Sequence, residues 1–431
     1  MIRALTSRLL TPSFFHRTMS SNIKAIADQV KFDILSQNHV LENAAKAKEI
    51  ARTFILPTQE MYAYASLATI GDDVYHDPST IALEAHMAQL TGKEAALFMP
   101  SGTASNQIAL RTHLRQPPYS VLCDNPKRRV EDTRRGVPHS ILVLPYYLLL
   151  HQTVRIMFFL ARLLSMRQRI SGHHLTLADV EENVILGTDI HFAPTEVIAL
   201  ENTLNGTIFP QDEIIAISDF AHLHSIKMHL DGARIWHVAI ETERSIKELC
   251  DPFDSISLCF SKGLGAPVGS CLVGPKEFIK KARWFRKLFG GGMRQTGILA
   301  ASAAYALTHN FPQLARVHAF TKKLESGLEA IGVEVTSKAD TCMVFYDAAS
   351  VGLTYDEVAE KAGTLPEPLF LGGSRLVVHI QTSEAAVDDF LALIKELAEQ
   401  KKAEGFVKPA AGQQSNGHRD VYVRRTAGKA H

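Results

Sequence analysis

The sequence predicts an α/β fold: a large domain with a mainly parallel central sheet, followed by a smaller α+β C-terminal domain. Three observations carry that prediction. Residues 196–202 read as a strand, 212–225 as a helix and 227–230 as a strand; such a βαβ unit forces its two strands to run parallel. A short apolar run over 95–99 is followed by Pro100-Ser101-Gly102-Thr103 and a helical stretch over 104–113, again a strand feeding a helix through a tight turn. Beyond residue 312 the pattern changes to a long helix to 331, strands over 341–346 and 375–380, and a closing helix over 384–403. No G-x-G-x-x-G follows any of these strands, which disfavours a nicotinamide-binding sheet.

The elements follow in chain order. Residues 1–22 carry Arg3, Arg8 and Arg17 with no acid before Asp28, a composition that fits a mitochondrial presequence and equally a misplaced start, with Met19 as an alternative. Residues 23–50 read as helical. The polar loop 71–79 leads to a helix over 81–91, with Ser79 or Thr80 as its cap and Gly92 as its stop. A strand over 121–124 precedes a break in composition: residues 125–170 open on a basic polar run and pass into apolar sequence interrupted by Pro145, His151, Arg155 and Arg162. That is not a clean membrane span, which needs about twenty apolar residues with few charges. Regular sequence resumes after Gly172, with a helix capped by Thr176. Lys276 to Leu288 is a basic helix, read as a solvated face, and 296–308 is an Ala-rich helix.

Length and composition set the frame. A chain of 431 residues with 46% hydrophobic content buries a large core and is expected to form two domains. The expected division is an N-terminal segment 1–52, a large domain 53–305 interrupted by 125–170, a small domain 306–403 and a polar, disordered tail 404–431. The formal net charge of +1 gives no reason to expect nucleic acid as a partner. Five cysteines without a C-x-x-C pair read as reduced thiols of an intracellular protein. His222, His224 and His229 lie close together, but there is no H-E-x-x-H and no Cys/His ligand set, so no metal is expected.

Three stretches carry chemistry. Lys262 ends an apolar run, residues 256–260, and is followed by Gly263-Leu264-Gly265-Ala266. An ammonium there loses hydration, and the neutral amine is the nucleophile of Schiff-base chemistry; the small residues leave room for a flat ring and a sharp turn. The plain alternative is a hairpin with Lys262 in water. Ser101-Gly102-Thr103 stands at a helix start, where free N–H groups and the dipole hold an anion, or where the same residues merely cap. Asp231, at the carboxyl end of a strand, suits a protonated heterocycle nitrogen, and Arg234 suits a carboxylate; a cap and a surface arginine are the alternative. Phosphate cradle, ring-nitrogen acid and amine, all at strand ends, are the protein parts that pyridoxal 5′-phosphate needs.

GDDVY, KEAALFMPSGTASNQIAL, ALENTLNGTIFP, HLDGARIW, SKGLGAPVGS and GGGMRQTGILAA together resemble the low-specificity threonine aldolases, over roughly residues 53–124 and 172–400. The resemblance implies the pyridoxal-phosphate-dependent, aspartate-aminotransferase-like fold (fold type I) and retro-aldol cleavage of L-threonine or L-allo-threonine to glycine and acetaldehyde. It implies Lys262 as the residue bonded to the cofactor, Asp231 on the ring nitrogen, and Gly102 and Thr103 on the phosphate. Arg234 and Arg375 are implied on the substrate carboxylate. It also implies a homodimer or homotetramer in the cytoplasm, with mitochondria the alternative drawn from the first twenty residues.

Two departures stand out. The family's Arg-Ser-Asp-Thr segment aligns with Glu49-Ile50-Ala51-Arg52-Thr53, which lacks the serine. The family's ring-stacking histidine falls where residues 125–170 stand, and neither His139 nor His151 has its context. The composition break is expected from retained non-coding sequence; mature transcript carrying the segment intact would refute that. The alternatives to an aldolase are another pyridoxal phosphate lyase acting by β-elimination, and a relative that keeps the fold without the activity.

Overall fold

In the computed structural model, residues 60, 61, 65, 77–114, 119–123, 174–187 and 189–407 are described. The readings of 1–52, of the loop 71–76, of 125–170 and of the tail after residue 407 lie outside them.

Among the described residues the central sheet has six strands: β1 (Ala95–Met99), β2 (Ser120–Cys123), β3 (Thr195–Glu201), β4 (Lys227–Gly232), β5 (Ser255–Cys259) and β6 (Ser270–Gly274), in the order β1-β6-β5-β4-β3-β2. Strands β2 to β5 pair in parallel, and β6 alone runs antiparallel, between β5 and β1. Every residue of β5 and β6 is buried. Strands covered on both faces need no polar alternation, and the continuous apolar run before Lys262 has that cause.

The intervening helices follow from the sequence punctuation. α1 (Pro78–Thr91) begins earlier than predicted, because Asp77, not Ser79 or Thr80, is the cap: its side chain accepts from the Thr80 N–H, and Pro78 fits the first helical turn, where no N–H is needed. Gly92 closes α1 in the left-handed conformation, as expected. α2 (Gly102–His113) is capped by Ser101, and α3 (Leu177–Asn183) by Thr176, with Asp179 completing a reciprocal pair. α4 (Gln211–Leu223) crosses between β3 and β4, which completes the predicted βαβ unit. Two short helices, α5 (Ile235–Thr242) and α6 (Ile246–Cys250), separate β4 from β5. α7 (Lys276–Leu288) has the predicted bounds; it buries Ile279, Ala282, Phe285 and also Arg286, which donates to the Phe98 carbonyl, while Lys276, Lys280, Lys281 and Lys287 stay exposed.

The Ala-rich helix α8 (Gly297–Tyr305) ends sooner than the pattern suggests, because residues 306–310 widen into a π-turn before a single 3₁₀ turn and α9 (Leu314–Ile331). Pro312 lies in that 3₁₀ turn, where a regular α-helix would need its N–H. A separate three-stranded antiparallel sheet follows: β7 (Glu334–Ser337), β8 (Met343–Asp347) and β9 (Arg375–Val377), in the order β7-β8-β9. Between β8 and β9 lies α10 (Tyr355–Ala362), and α11 (Glu384–Ala403) closes the segment with its predicted bounds. β9 stops at Val377, not Ile380. Val378 still bonds to the Cys342 carbonyl, and the chain then turns through His379 to Thr382.

Candidate active site

The strand–loop–strand unit from β5 to β6 carries Lys262. Cys259 and Ser270 are the last paired residues, and the Ala266 N–H returns to the Phe260 carbonyl. Gly265 and Gly269 adopt φ of 70° and 116°, conformations that favour glycine. A Cβ at Gly269 would also lie 2.6 Å from the Phe98 ring. The plain hairpin is therefore the backbone geometry, and it is also what presents the amine. The expected desolvation of Lys262 is not what the fold supplies: Leu264 and Ala266 are buried, whereas Lys262 is exposed at the wall of a cavity. The strand ends three residues before it, and the loop lifts its side chain off the sheet.

That cavity has a volume of about 450 Å³ and is lined by Lys262, Arg234, Arg375, His237, Cys342 and apolar residues of the segment around β9 and α11. Arg234 follows β4, and Arg375 opens β9. The fold thus joins the two predicted carboxylate-binding guanidiniums to the predicted amine. Arg234 bonds to the Cys342 thiol; burial pushes that thiol up, and Arg234 acts against the shift.

Asp231 lies on β4, half-buried. Its Oδ1 accepts from the Ala233 N–H at 3.1 Å, and its Oδ2 accepts from the Asn106 amide at 2.7 Å. Burial raises its pKa above the usual carboxylate value, while the nearby Lys262 ammonium pulls it back most strongly, followed by Ala233, Asn106 and Arg234. Ser101 and Thr103 are exposed at the start of α2. The Ser101 hydroxyl accepts from the Ala104 N–H at 3.1 Å and keeps its own proton to donate. A Cβ at Gly102 would meet nothing closer than Cys259 Sγ at 3.8 Å, an ordinary contact. The fold itself does not demand glycine there, and the space at the helix start is open. An open, N–H-rich helix start, a carboxylate whose oxygens are fixed by amides and an exposed amine form a donor set that fits pyridoxal phosphate.

Sequence reasoning passed over several residues here. Asn106, one turn into α2, anchors Asp231. Behind it His229 Nε2 lies 3.1 Å from Asn106 Oδ1, His229 Nδ1 2.8 Å from Ser255 Oγ, and His113 Nε2 2.7 Å from the same hydroxyl. The signal for His229 was present: in strand β4 it stands two residues before Asp231, so both side chains share a face. On the cavity wall, His237 Nδ1 lies 3.0 Å from His318 Nε2, and His318 Nδ1 2.9 Å from Glu241 Oε2. Lys322 holds the other Glu241 oxygen at 2.6 Å. Burial, the largest effect on Glu241, works against its ionisation, but Lys322 and His318 outweigh it and keep the carboxyl below its ordinary value. A carboxylate only accepts, so His318 carries its proton on Nδ1, receives at Nε2 from His237 Nδ1–H, and leaves His237 Nε2 bare. That atom faces Gly263: a Cβ there would lie 2.3 Å from it. Among the described residues no group of His, Cys, Asp or Glu could hold a metal ion, and no helix is long and apolar enough to cross a membrane.

Residues 52–350 match the beta-eliminating lyase family. The chain is 40% identical to a probable low-specificity L-threonine aldolase of Schizosaccharomyces pombe over 362 residues, 84% of this chain and 90% of that one. It is 40% identical to a low-specificity L-threonine aldolase of Candida albicans over 351 residues, 80% and 88% of the two chains. Among solved structures, a threonine aldolase from Leishmania major superposes with a TM-score of 0.62 at 18% identity, covering 81% of this chain and 99% of that one; at that identity the likeness speaks for the fold alone.

Proposed function

This chain belongs to the beta-eliminating lyase family, and from that membership and the cavity we propose that it is a pyridoxal-phosphate-dependent lyase. Its reaction is the retro-aldol cleavage of L-threonine or L-allo-threonine to glycine and acetaldehyde. The observation that carries the reading is the convergence of Lys262, Arg234 and Arg375 on one cavity of about 450 Å³, with Asp231 close enough to Lys262 to feel its charge.

The residues divide the work by their chemistry. Lys262, an amine on an accessible loop, would hold the cofactor covalently at its aldehyde carbon. Asp231 holds a proton on the ring nitrogen. Ser101, Gly102 and Thr103 hold the phosphate at the start of α2. Bound there, pyridoxal phosphate supplies the electron sink for carbanion chemistry at Cα. Arg234 and Arg375 hold the substrate carboxylate between them, and fixing it sets the direction in which the Cα–Cβ bond leaves. The apolar wall from β9 and α11 excludes water from that bond.

Borohydride treatment of the full chain with pyridoxal phosphate, followed by peptide mapping, tests the reading. It should leave one pyridoxyl group on Lys262, and Lys262→Ala should lose both the label and acetaldehyde release. Scattered label on surface lysines would overturn the assignment. A β-elimination chemistry, which the family name keeps in view, would instead release ammonia and a 2-oxo acid.

A further inference from the structure

We propose that Asn106, His229, Ser255 and His113 are positioning residues that form a one-directional hydrogen-bond chain ending on Asp231, and that this chain keeps Asp231 an anion aimed at the ring nitrogen of the cofactor. The assignment rests on the proposed function, since it concerns the same site.

The direction of each bond follows from its neighbour. Asp231 Oδ2, as a carboxylate oxygen, only accepts, so the atom of Asn106 at 2.7 Å is its amide nitrogen. The Asn106 oxygen then faces His229 Nε2 at 3.1 Å and must receive a proton from it. His229 is fully buried in β4, and burial, with His113 adding to it, pushes its pKa down to about 3, so the ring is neutral. A neutral ring with a proton on Nε2 has a bare Nδ1, which accepts from the Ser255 hydroxyl at 2.8 Å. The serine has then spent its proton, and its lone pair receives His113 Nε2–H at 2.7 Å. Four donors in series point towards one carboxylate, and each link fixes the next.

The elements make this arrangement a consequence of the fold. Parallel pairing sets His229 opposite Ser255, and Asp231 opposite Ser257. Alternation puts all four on one face, against α2. Serine on β5 lets α2 approach and gives His229 its donor. Asn106 and Thr103 stand one turn apart on α2, so the helix that offers its start to the phosphate also grips the acid of the ring nitrogen.

The test uses the holoenzyme prepared with pyridoxal phosphate labelled with ¹⁵N in the ring. Wild type should show a protonated ring nitrogen. Asn106→Leu should shift the signal towards the unprotonated position and weaken cofactor binding about ten- to a hundredfold, the usual cost of losing a hydrogen bond to a charged group. His229→Gln, which can still donate to Asn106, should restore more than His229→Phe. Ser255→Ala, the smallest change, should move the signal the same way by less. An unshifted signal with cofactor affinity within twofold of wild type in both Asn106→Leu and Ser255→Ala would overturn the proposal. In the cofactor-free full chain, histidine ¹⁵N spectra should read His229 as the Nε2–H tautomer. An imidazolium or Nδ1–H form would overturn the chain of donors whatever reaction the enzyme performs, whereas wild type that binds pyridoxal phosphate without releasing acetaldehyde would refute only the proposed function.

Discussion

Gly263 shows how tightly the single residue is specified beside the candidate site. Its φ is ordinary, so the backbone would accept alanine, but the added carbon would stand 2.3 Å from His237 Nε2. The ring cannot easily retreat, since its other nitrogen is bound to His318 and His318 to Glu241. Gly263→Ala should therefore cost about 1–3 kcal/mol, as overpacking does, read by urea unfolding of the full chain. His237→Ala vacates the space, so the double variant should be less destabilised than the sum of the single ones. Strictly additive losses would mean that the contact does not govern the site. The sequence announced this glycine as room for a flat ring, whereas the space beside it belongs to an imidazole. By contrast, the reading of Ser101, Gly102 and Thr103 as a helix start was legible, because capping chemistry is local. Asn106 was not legible: its partners lie 123 and 125 residues away, and no local pattern marks an amide in a helix as a clamp.

At the scale of elements, the start of α1 is tied to the start of α8. Asp77 Oδ1 accepts from Thr80 N at 2.7 Å and Thr80 Oγ at 2.9 Å, and Thr80 Oγ lies 2.8 Å from Thr296 Oγ at the head of α8. Loss of this cap through Asp77→Ala should cost about 1–2 kcal/mol, because the Thr80 N–H is left buried and unbonded. A midpoint of thermal unfolding equal to wild type would refute it. The bounds of α7 and α11 were legible because their neighbours stop them, Pro275 before α7 and the Ser383 cap before α11. The π-turn after α8 and the early end of β9 were not, since residues 306–310 read as good helix and 378–380 as good strand; tertiary contacts override both. The antiparallel direction of β6 was legible only as the plain hairpin alternative.

At the scale of the whole molecule, the buried rings of His229, His237 and His318 are kept neutral by the fold. Burial is the largest cause in each, and it lowers His229 and His237 to about 3 and His318 to about 4, against an ordinary value of 6.5. In the unfolded chain these groups take up protons below pH 6.5, and in the folded chain only near pH 3–4. Their contribution to stability is thus complete above 6.5 and is lost as pH falls towards 3–4, by about 1.4 kcal/mol per pH unit for each proton. Asp254, held low by Met228, Lys227 and His222 in spite of burial, adds to the loss at more acid pH. Glu84 and Asp231, raised by burial, oppose it. Urea midpoints should fall between pH 6.5 and 4; a flat profile would contradict the burial of these rings.

The β5–β6 hairpin has one more consequence, which concerns time. Its ends meet at Cys259 and Ser270, and closing a loop of about ten residues takes roughly 10–100 ns, with hairpins forming in microseconds. Arg375 reaches the same cavity from a different sheet, and contacts so distant in sequence pay a larger closure entropy and form late. During folding the Lys262 amine is therefore presented first, and the Arg375 guanidinium arrives at the cavity afterwards. If Lys262 holds the cofactor as proposed, a chain still on its way to the native state already displays that amine, and the cofactor can join the protein before the substrate's place exists.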